Sequence, residues 1–393
     1  SCGDDAAEWS SRSVAFTMLV PAKSEPFAPM PEKPDGAKWA DPPKVLQKLV
    51  YRADGEGYLE NGFVHLFVVT ADGGTPRQLT TCDFDVSGAP AFTPDVRALL
   101  VSSNRREEAD YEPLDSEIYE IAVADGAIHA LTNRRGPDQS PAISPDGRQL
   151  AYLGFDDRYQ GYQVARLSVM DRSGGAPRVV SGGLDRTVES PRFSPDGREI
   201  VCQYEEEGAM KLAAFTLDGK LRTITKDLAG GPVGRPYSNG VFTLSRTGLV
   251  AYTQGGPDRV TDVAVVPLKG GEPRVVVSTP AYEGGGQISP DGRWLVYASN
   301  TSSRMEVYLR RVDGSERFPV STSGGIGPIW SRDGRQIFFR NGLQFLAVTL
   351  TTEPAVTLSA PKVLFERRYA FGPNITVANY SLSHDGRDFL LVT

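Results

Sequence analysis

The sequence predicts an all-β protein, a β-propeller built from four-stranded antiparallel blades. Three observations predict it: one turn phrase recurs at near-regular spacing, the same strand-rich pattern follows each copy, and no long segment carries helical periodicity. The phrase reads Thr93-Pro-Asp-Val-Arg97, Ser144-Pro-Asp-Gly-Arg148, Ser194-Pro-Asp-Gly-Arg198, Ser245-Arg-Thr-Gly248, Ser289-Pro-Asp-Gly-Arg293, Ser331-Arg-Asp-Gly-Arg335 and Ser383-His-Asp-Gly-Arg387. Its third residue falls at 95, 146, 196, 247, 291, 333 and 385, so the intervals are 51, 50, 51, 44, 42 and 52. A degenerate copy, Trp9-Ser-Ser-Arg-Ser-Val-Ala-Phe16, stands near the N-terminus.

Each element of the unit has a local reason. Proline presets φ for a type I turn, the Ser and Asp side chains bond the nearby backbone, and Gly supplies a positive φ. The turn therefore joins two antiparallel strands. The strand after it is rich in Val, Ile, Leu, Phe and Tyr, as in Gln149-Leu-Ala-Tyr152 and Gln336-Ile-Phe-Phe339. Such runs, apolar on both faces, suit a sheet sandwiched between others. A third strand follows, as in Glu117-Ile-Tyr-Glu-Ile-Ala-Val123, then a Gly turn such as Arg172-Ser-Gly-Gly175, then a short fourth strand such as Pro177-Arg-Val-Val180. One such sheet cannot cover its own faces, so the units must stack around an axis. The eight copies favour eight blades closed jointly by the two chain ends, with seven as the alternative. Residues 1–393 read as one domain. Residues 20–62 are Pro-rich, too long for a blade turn, and read as an insertion within the first blade carrying one extra strand at 49–52. The chain stops two strands into its last unit, and a strand at 14–19 is expected to complete that blade.

Composition narrows the function. A net charge of -7 argues against non-specific nucleic-acid binding. The longest apolar runs, such as 149–155, fall far short of the ~20 residues of a membrane-spanning helix. Cys2, Cys82 and Cys202 share no metal-ligand spacing with each other or with His65, His129 and His384, so no metal is assigned. The Asp-Gly turns do not fit a calcium loop, and no Gly-rich loop opens a helix, so no cofactor is assigned either. Cys82 and Cys202 read as small apolar packing residues.

Nucleophilic chemistry also lacks a signature. No Gly-x-Ser-x-Gly elbow occurs, and Ser181-Gly-Gly183 and Ser323-Gly-Gly325 read as turns between strands. The three histidines fall on strands or in a blade turn and read as structural. The acidic run Tyr204-Glu-Glu-Glu-Gly208 follows a strand directly and reads as a hairpin turn. Two longer loops, Asn104-Arg-Arg-Glu-Glu-Ala-Asp-Tyr-Glu-Pro113 and Asp156-Asp-Arg-Tyr-Gln-Gly-Tyr162, mix Arg, acid and Tyr, the residue types of recognition surfaces. They nominate Arg105, Arg106, Tyr111, Arg158, Tyr159 and Tyr162 as partner-binding residues.

Over nearly the whole chain these repeats resemble the TolB-like or WD-like β-propellers of bacteria. The stretch from about 37 to 271 resembles the propeller of prolyl oligopeptidase family serine peptidases, through phrases such as Leu66-Phe-Val-Val-Thr-Ala-Asp-Gly-Gly-Thr-Pro-Arg-Gln-Leu-Thr80, Asp115-Ser-Glu-Ile-Tyr119 and Gly136-Pro-Asp-Gln-Ser-Pro-Ala142. From about 285 onward the repeats resemble those of bacterial sensor propellers, through Trp294-Leu-Val-Tyr-Ala-Ser299 and Gly327-Pro-Ile-Trp-Ser-Arg-Asp-Gly334. In the peptidase family the chemistry resides in a separate α/β-hydrolase domain, for which this chain has no room. Dipeptidyl peptidases of that family grip a substrate amine with paired propeller glutamates, which Glu205 and Glu206 resemble. The start Ser1-Cys2-Gly3-Asp4-Asp5 resembles that of a bacterial lipoprotein and implies lipid attachment at Cys2, although Ser1 precedes the cysteine.

The expectation is a monomeric, non-catalytic propeller of the bacterial periplasm or cell envelope, docking a protein or peptide and meeting the membrane only through a lipid on Cys2; a cytoplasmic location is the alternative. Two other functions stay open: the substrate-gating propeller of a serine peptidase, and a lyase or glycosidase working in the central channel.

Overall fold

The computed structural model describes residues 13–22, 31–40, 45–46, 48–54, 57–70, 75–229, 240–256, 259–331, 333–366, 380–382 and 389–392. Among them every regular element is a β-strand. Cys2, His384 and the last turn phrase lie outside the described residues.

The strands form successive sheets. The second contains Val86–Phe92, Ala98–Ser103, Glu117–Ala122 and Ile128–Ala130; the third Asp138–Ile143, Gln149–Gly154, Arg166–Asp171 and Arg178–Val179. The fourth contains Val188–Phe193, Glu199–Glu206, Ala209–Thr216 and Leu221–Leu228; the fifth Phe242–Leu244, Leu249–Gly256, Arg259–Pro267 and Arg274–Val277, joined to the fourth by one bridge, Leu228 to Gln254. The sixth contains Glu283–Ile288, Trp294–Ser299, Glu306–Arg311 and Arg317–Pro319; the seventh Ile326–Trp330, Gln336–Asn341, Gln344–Thr351 and Lys362–Glu366. The first sheet joins both chain ends: Ser13–Pro21 lies between Gly62–Thr70 and Phe389–Val392, with Arg77–Gln78 and Tyr380–Leu382 on the flanks. Ala15 sits opposite Val68 in an antiparallel ladder and opposite Leu390 in a parallel one.

The joint closure expected from the sequence is therefore present, but the favoured count of eight blades is not. The described residues form seven such sheets, because the N-terminal copy and the last copy contribute strands to the same sheet. Counting phrases overcounts blades here, because the strands Ser13–Pro21 and Phe389–Val392 pair within one sheet. Pro21 faces Gly62 at the end of its ladder, so residues 22–61 leave and return between neighbouring strands. The extra strand of that connection lies at Arg52–Ala53, paired with Gly57–Tyr58, rather than at 49–52.

Side-chain alternation explains the stacking. Leu99 and Val101 pack between the first and second sheets, while Leu100 between them points to the third. Leu150 and Tyr152 face the second sheet; Ala151 and Leu153 face the fourth. Val250 and Tyr252 face the fourth sheet, Ala251 the sixth. Trp294 and Val296 face the seventh, Leu295 and Tyr297 the fifth. Each second strand thus supplies two cores at once, with roughly 1.5–3 kcal/mol per fully buried large side chain.

The turn phrase works as read. Ser144 Oγ donates to Asp146 Oδ1 at 2.5 Å and accepts from Gln149 N at 2.9 Å, while Asp146 accepts from Arg148 N at 3.1 Å. The same set recurs at Ser194, Ser289 and Ser331. Gly147 has a φ of 74°, and a Cβ there would stand 3.4 Å from Pro94 of the preceding turn, so these turns also touch one another.

Candidate functional site

Connections in an antiparallel meander alternate between its two ends. The Ser-Pro-Asp-Gly turns occupy one end, so the loops after each second strand and the crossovers to the next sheet share the other. Loop 104–116 of the second sheet, crossover 133–137 and loop 155–165 of the third meet there.

Both loops are held internally. Asn104 donates its amide to Glu112 O at 2.7 Å and accepts from Arg106 N at 3.2 Å. Asp157 accepts from Tyr159 N at 2.9 Å and from Gln163 Nε2 at 2.6 Å. They then meet: the Tyr159 hydroxyl donates to Glu112 Oε1 at 2.8 Å, Arg135 Nη2 donates to the same oxygen at 3.2 Å, and the Arg135 guanidinium lies 4.7 Å from the Tyr159 ring centre.

Beneath this surface runs an ionic layer. Glu117, the first residue of its strand and 4% exposed, accepts from Thr132 Oγ1 at 2.6 Å, Arg134 N at 2.8 Å and Arg106 Nη2 at 3.0 Å. Arg106 also pairs with Asp115 at 3.0 Å. Arg134 grips Asp138 through Nε at 2.8 Å and Nη2 at 2.5 Å, and reaches Asp156 at 3.5 Å. Asp138 is fully buried, and among the described residues its Oδ2 has no hydrogen-bond partner. Burial pushes its carboxyl up to about 6 against the pull of Arg134. Burial likewise raises Glu117, and it pushes the Tyr152 hydroxyl, near Asp138, up to about 12.

The nominated residues divide accordingly. Arg106 points into the ionic layer and Tyr159 ties the loops together. Tyr111 and Tyr162 are 76% and 72% exposed, and Arg158 is exposed beside them in sequence. Arg105 turns toward the first sheet, donating to Cys82 Sγ at 3.0 Å and lying over Phe84 and Tyr119. Glu205 and Glu206 are the last two residues of Glu199–Glu206, opposite Met210 and Ala209, with Glu207-Gly208 as the turn beyond them, and Glu206 pairs with Lys211. Sequence reasoning missed Glu117, Arg134, Arg135 and Asp138. The available signal was a Thr132-Asn-Arg-Arg-Gly-Pro-Asp138 crossover placing two arginines before an acid that opens an innermost strand.

His65 is buried with Nδ1 3.2 Å from Thr80 Oγ1, burial lowers its pKa, and His129 is exposed on Ile128–Ala130. Cys202 is buried and its thiol is raised by burial. Among the described residues no group of three or more His, Cys, Asp or Glu is arranged to hold a metal ion.

Residues 57–235 match the TolB beta propeller domain model. An uncharacterized peptidase, YuxL of Bacillus subtilis, is 31% identical over 214 residues, which is 54% of this chain and 29% of that protein. The Tol-Pal system protein TolB of Francisella tularensis is 24% identical over 296 residues, 73% of this chain and 64% of that one. The chain thus spans less than two thirds of the length of these relatives. A puromycin-hydrolysing peptidase of Mycobacterium tuberculosis superposes with a TM-score of 0.51 at 16% identity, over 72% of this chain and 47% of its own, a likeness of fold. With its repeats, its seven described sheets and this match, the chain is an all-β propeller that matches the TolB beta propeller domain over residues 57–235 and resembles the propeller domain of prolyl oligopeptidase family peptidases.

Proposed function

We propose that the protein is a non-catalytic docking propeller of the bacterial cell envelope that binds a protein or peptide partner through loops 104–116 and 155–165. The observation that carries this reading is the pairing of a fixed ionic layer with exposed tyrosines above it: Tyr111, Tyr159 and Tyr162 are 76%, 64% and 72% exposed on loops tied together by Glu112. Aromatic rings on a rigid polar base are the composition of interface hot spots. The likeness to a Tol-Pal system protein supports an envelope setting.

The test is site-specific photo-crosslinking in the native host. A crosslinker at position 162 should give a discrete adduct that Arg135→Ala weakens, whereas one at position 195, in a turn of the opposite end, should not. Equal adducts from both ends, or none from position 162, would sink the reading. The 31% identity to a peptidase favours a second reading, in which the propeller gates substrate for a serine hydrolase domain. If a hydrolase domain is encoded alongside the propeller, Arg135→Ala should alter that gene product's preference for substrate length.

A further inference from the structure

We infer that the docked partner extends onto the strip formed by residues 49–54 and 57–58 and presents there an amphipathic stretch, apolar on one side and bordered by Lys or Arg; this rests on the docking reading above. Leu49, Val50, Tyr51 and Tyr58 are 56%, 62%, 43% and 56% exposed, a density of large apolar side chains that solvent alone disfavours. The strip is ordered, for Tyr51 and Tyr58 stack at 6.1 Å and Leu59 N donates to Tyr51 O at 2.9 Å. It is also continuous with the loop platform: Leu49 N donates to Asp110 Oδ2 at 3.3 Å, and Asp110 precedes Tyr111.

Charge selects the occupant. Asp54, Glu60, Glu107, Glu108 and Asp110 are exposed around the strip, whereas Arg52 is the one exposed base among the described residues of 48–60 and 107–114. Lys48 is occupied by Gly62 O at 2.6 Å and by Asp85 at 3.6 Å. An apolar partner face alone would leave the acids unmatched, and an acidic one would be repelled. A segment with cationic margins satisfies both parts of the surface, and the tyrosine faces add cation–π contacts.

Fluorescence anisotropy with a labelled Leu/Lys amphipathic helix and its Leu/Glu counterpart tests this. The Leu/Lys probe should bind more tightly, with affinity falling as salt rises. Leu49→Ser with Val50→Ser and Tyr51→Ser should weaken binding about tenfold or more. Glu107→Lys with Glu108→Lys and Asp110→Lys should weaken it and flatten the salt dependence. Asp313→Lys with Glu316→Lys, an acidic turn of the opposite end, should leave it unchanged. Circular dichroism confirms that each variant folds. Equal binding of both probes, indifference to the triple serine variant, or an equal loss at Asp313 and Glu316 would overturn the inference. Should crosslinking from position 162 succeed while these results fail, docking stands and only the partner's chemistry is refuted.

Discussion

The second and sixth sheets contain the same device and put it to different use. Glu117 and Glu306 each open a third strand, 4% and 3% exposed. Each takes a hydroxyl, from Thr132 or Ser321, and that hydroxyl also accepts the next backbone N–H, of Ile118 or Val307. Each takes a crossover amide, Arg134 N at 2.8 Å or Gly324 N at 3.0 Å, and an arginine, Arg106 or Arg304. The sixth sheet stops there. In the second, the longer loop 104–116 and the crossover bring Arg134, Arg135, Asp138, Asp156 and Tyr159 into contact. The buried glutamate is therefore a blade fastener, and under the proposed function recognition is built from the loops fastened to it.

The largest expected effect breaks the symmetry between the two arginines of these layers. Arg134→Ala leaves Asp138 buried without a counterion and should cost about 3 kcal/mol at neutral pH. Arg304→Ala should cost within about 1 kcal/mol, because Arg304 is 59% exposed and Glu306 keeps its hydroxyl and amide partners. Urea unfolding midpoints compare the two, and equal losses would dissolve the contrast.

The next effect concerns pH. Asp138 has a folded pKa of about 6, above the ~3.9 of an unfolded aspartate. A raised carboxyl contributes stability that is fully present below the unfolded value and lost as pH rises through about 6. The wild type should therefore lose roughly 2–3 kcal/mol relative to Asp138→Asn between pH 4 and 7.5. Arg134→Ala should be milder at pH 5 than at pH 7, since a neutral Asp138 needs no counterion. A stability difference between Asp138→Asn and wild type that is flat across this range would remove Asp138 as the titrating group.

Thr132→Ala and Ser321→Ala sharpen the shared half of the comparison. Each removes a hydroxyl that both donates to a buried glutamate and accepts a backbone N–H, so each should cost about 1–2 kcal/mol, equally in both sheets. Unequal losses would show that the fastener itself differs.

The blade design was legible in the sequence because its signals are local. Ser144, Asp146 and Gly147 bond within five residues, and Leu150 to Leu153 declare two buried faces by alternation. The loops 104–113 and 156–162 stood out in the sequence by their mix of Arg, acid and Tyr. Their partnership was not legible: Glu112 and Tyr159 meet across 47 residues, through two different sheets. Asp138 drew no site reading, because its pairing depends on how crossover 133–137 folds Arg134 back onto it. The favoured eight blades, with seven as the alternative, came from counting phrase copies; the joint closure was legible, and it is this closure that puts the strands beside the first and last copies in one sheet.

Tyr159→Phe is the smallest expected effect on stability and isolates the contrast with the sixth sheet. The hydroxyl that reaches Glu112 at 2.8 Å belongs to a residue 64% exposed, so its loss should change stability by no more than about 0.5 kcal/mol. The ring remains over Arg135, but the hydrogen bond that ties loop 155–165 directly to loop 104–116 is gone. Photo-crosslinking from position 162 should therefore weaken although the fold is unchanged. In the sixth sheet a surface change of this kind, such as Ser302→Ala, should alter neither measurement. If Tyr159→Phe lowers stability as much as Thr132→Ala does, the loop junction belongs to the fastener, and the division between holding and recognising is drawn in the wrong place.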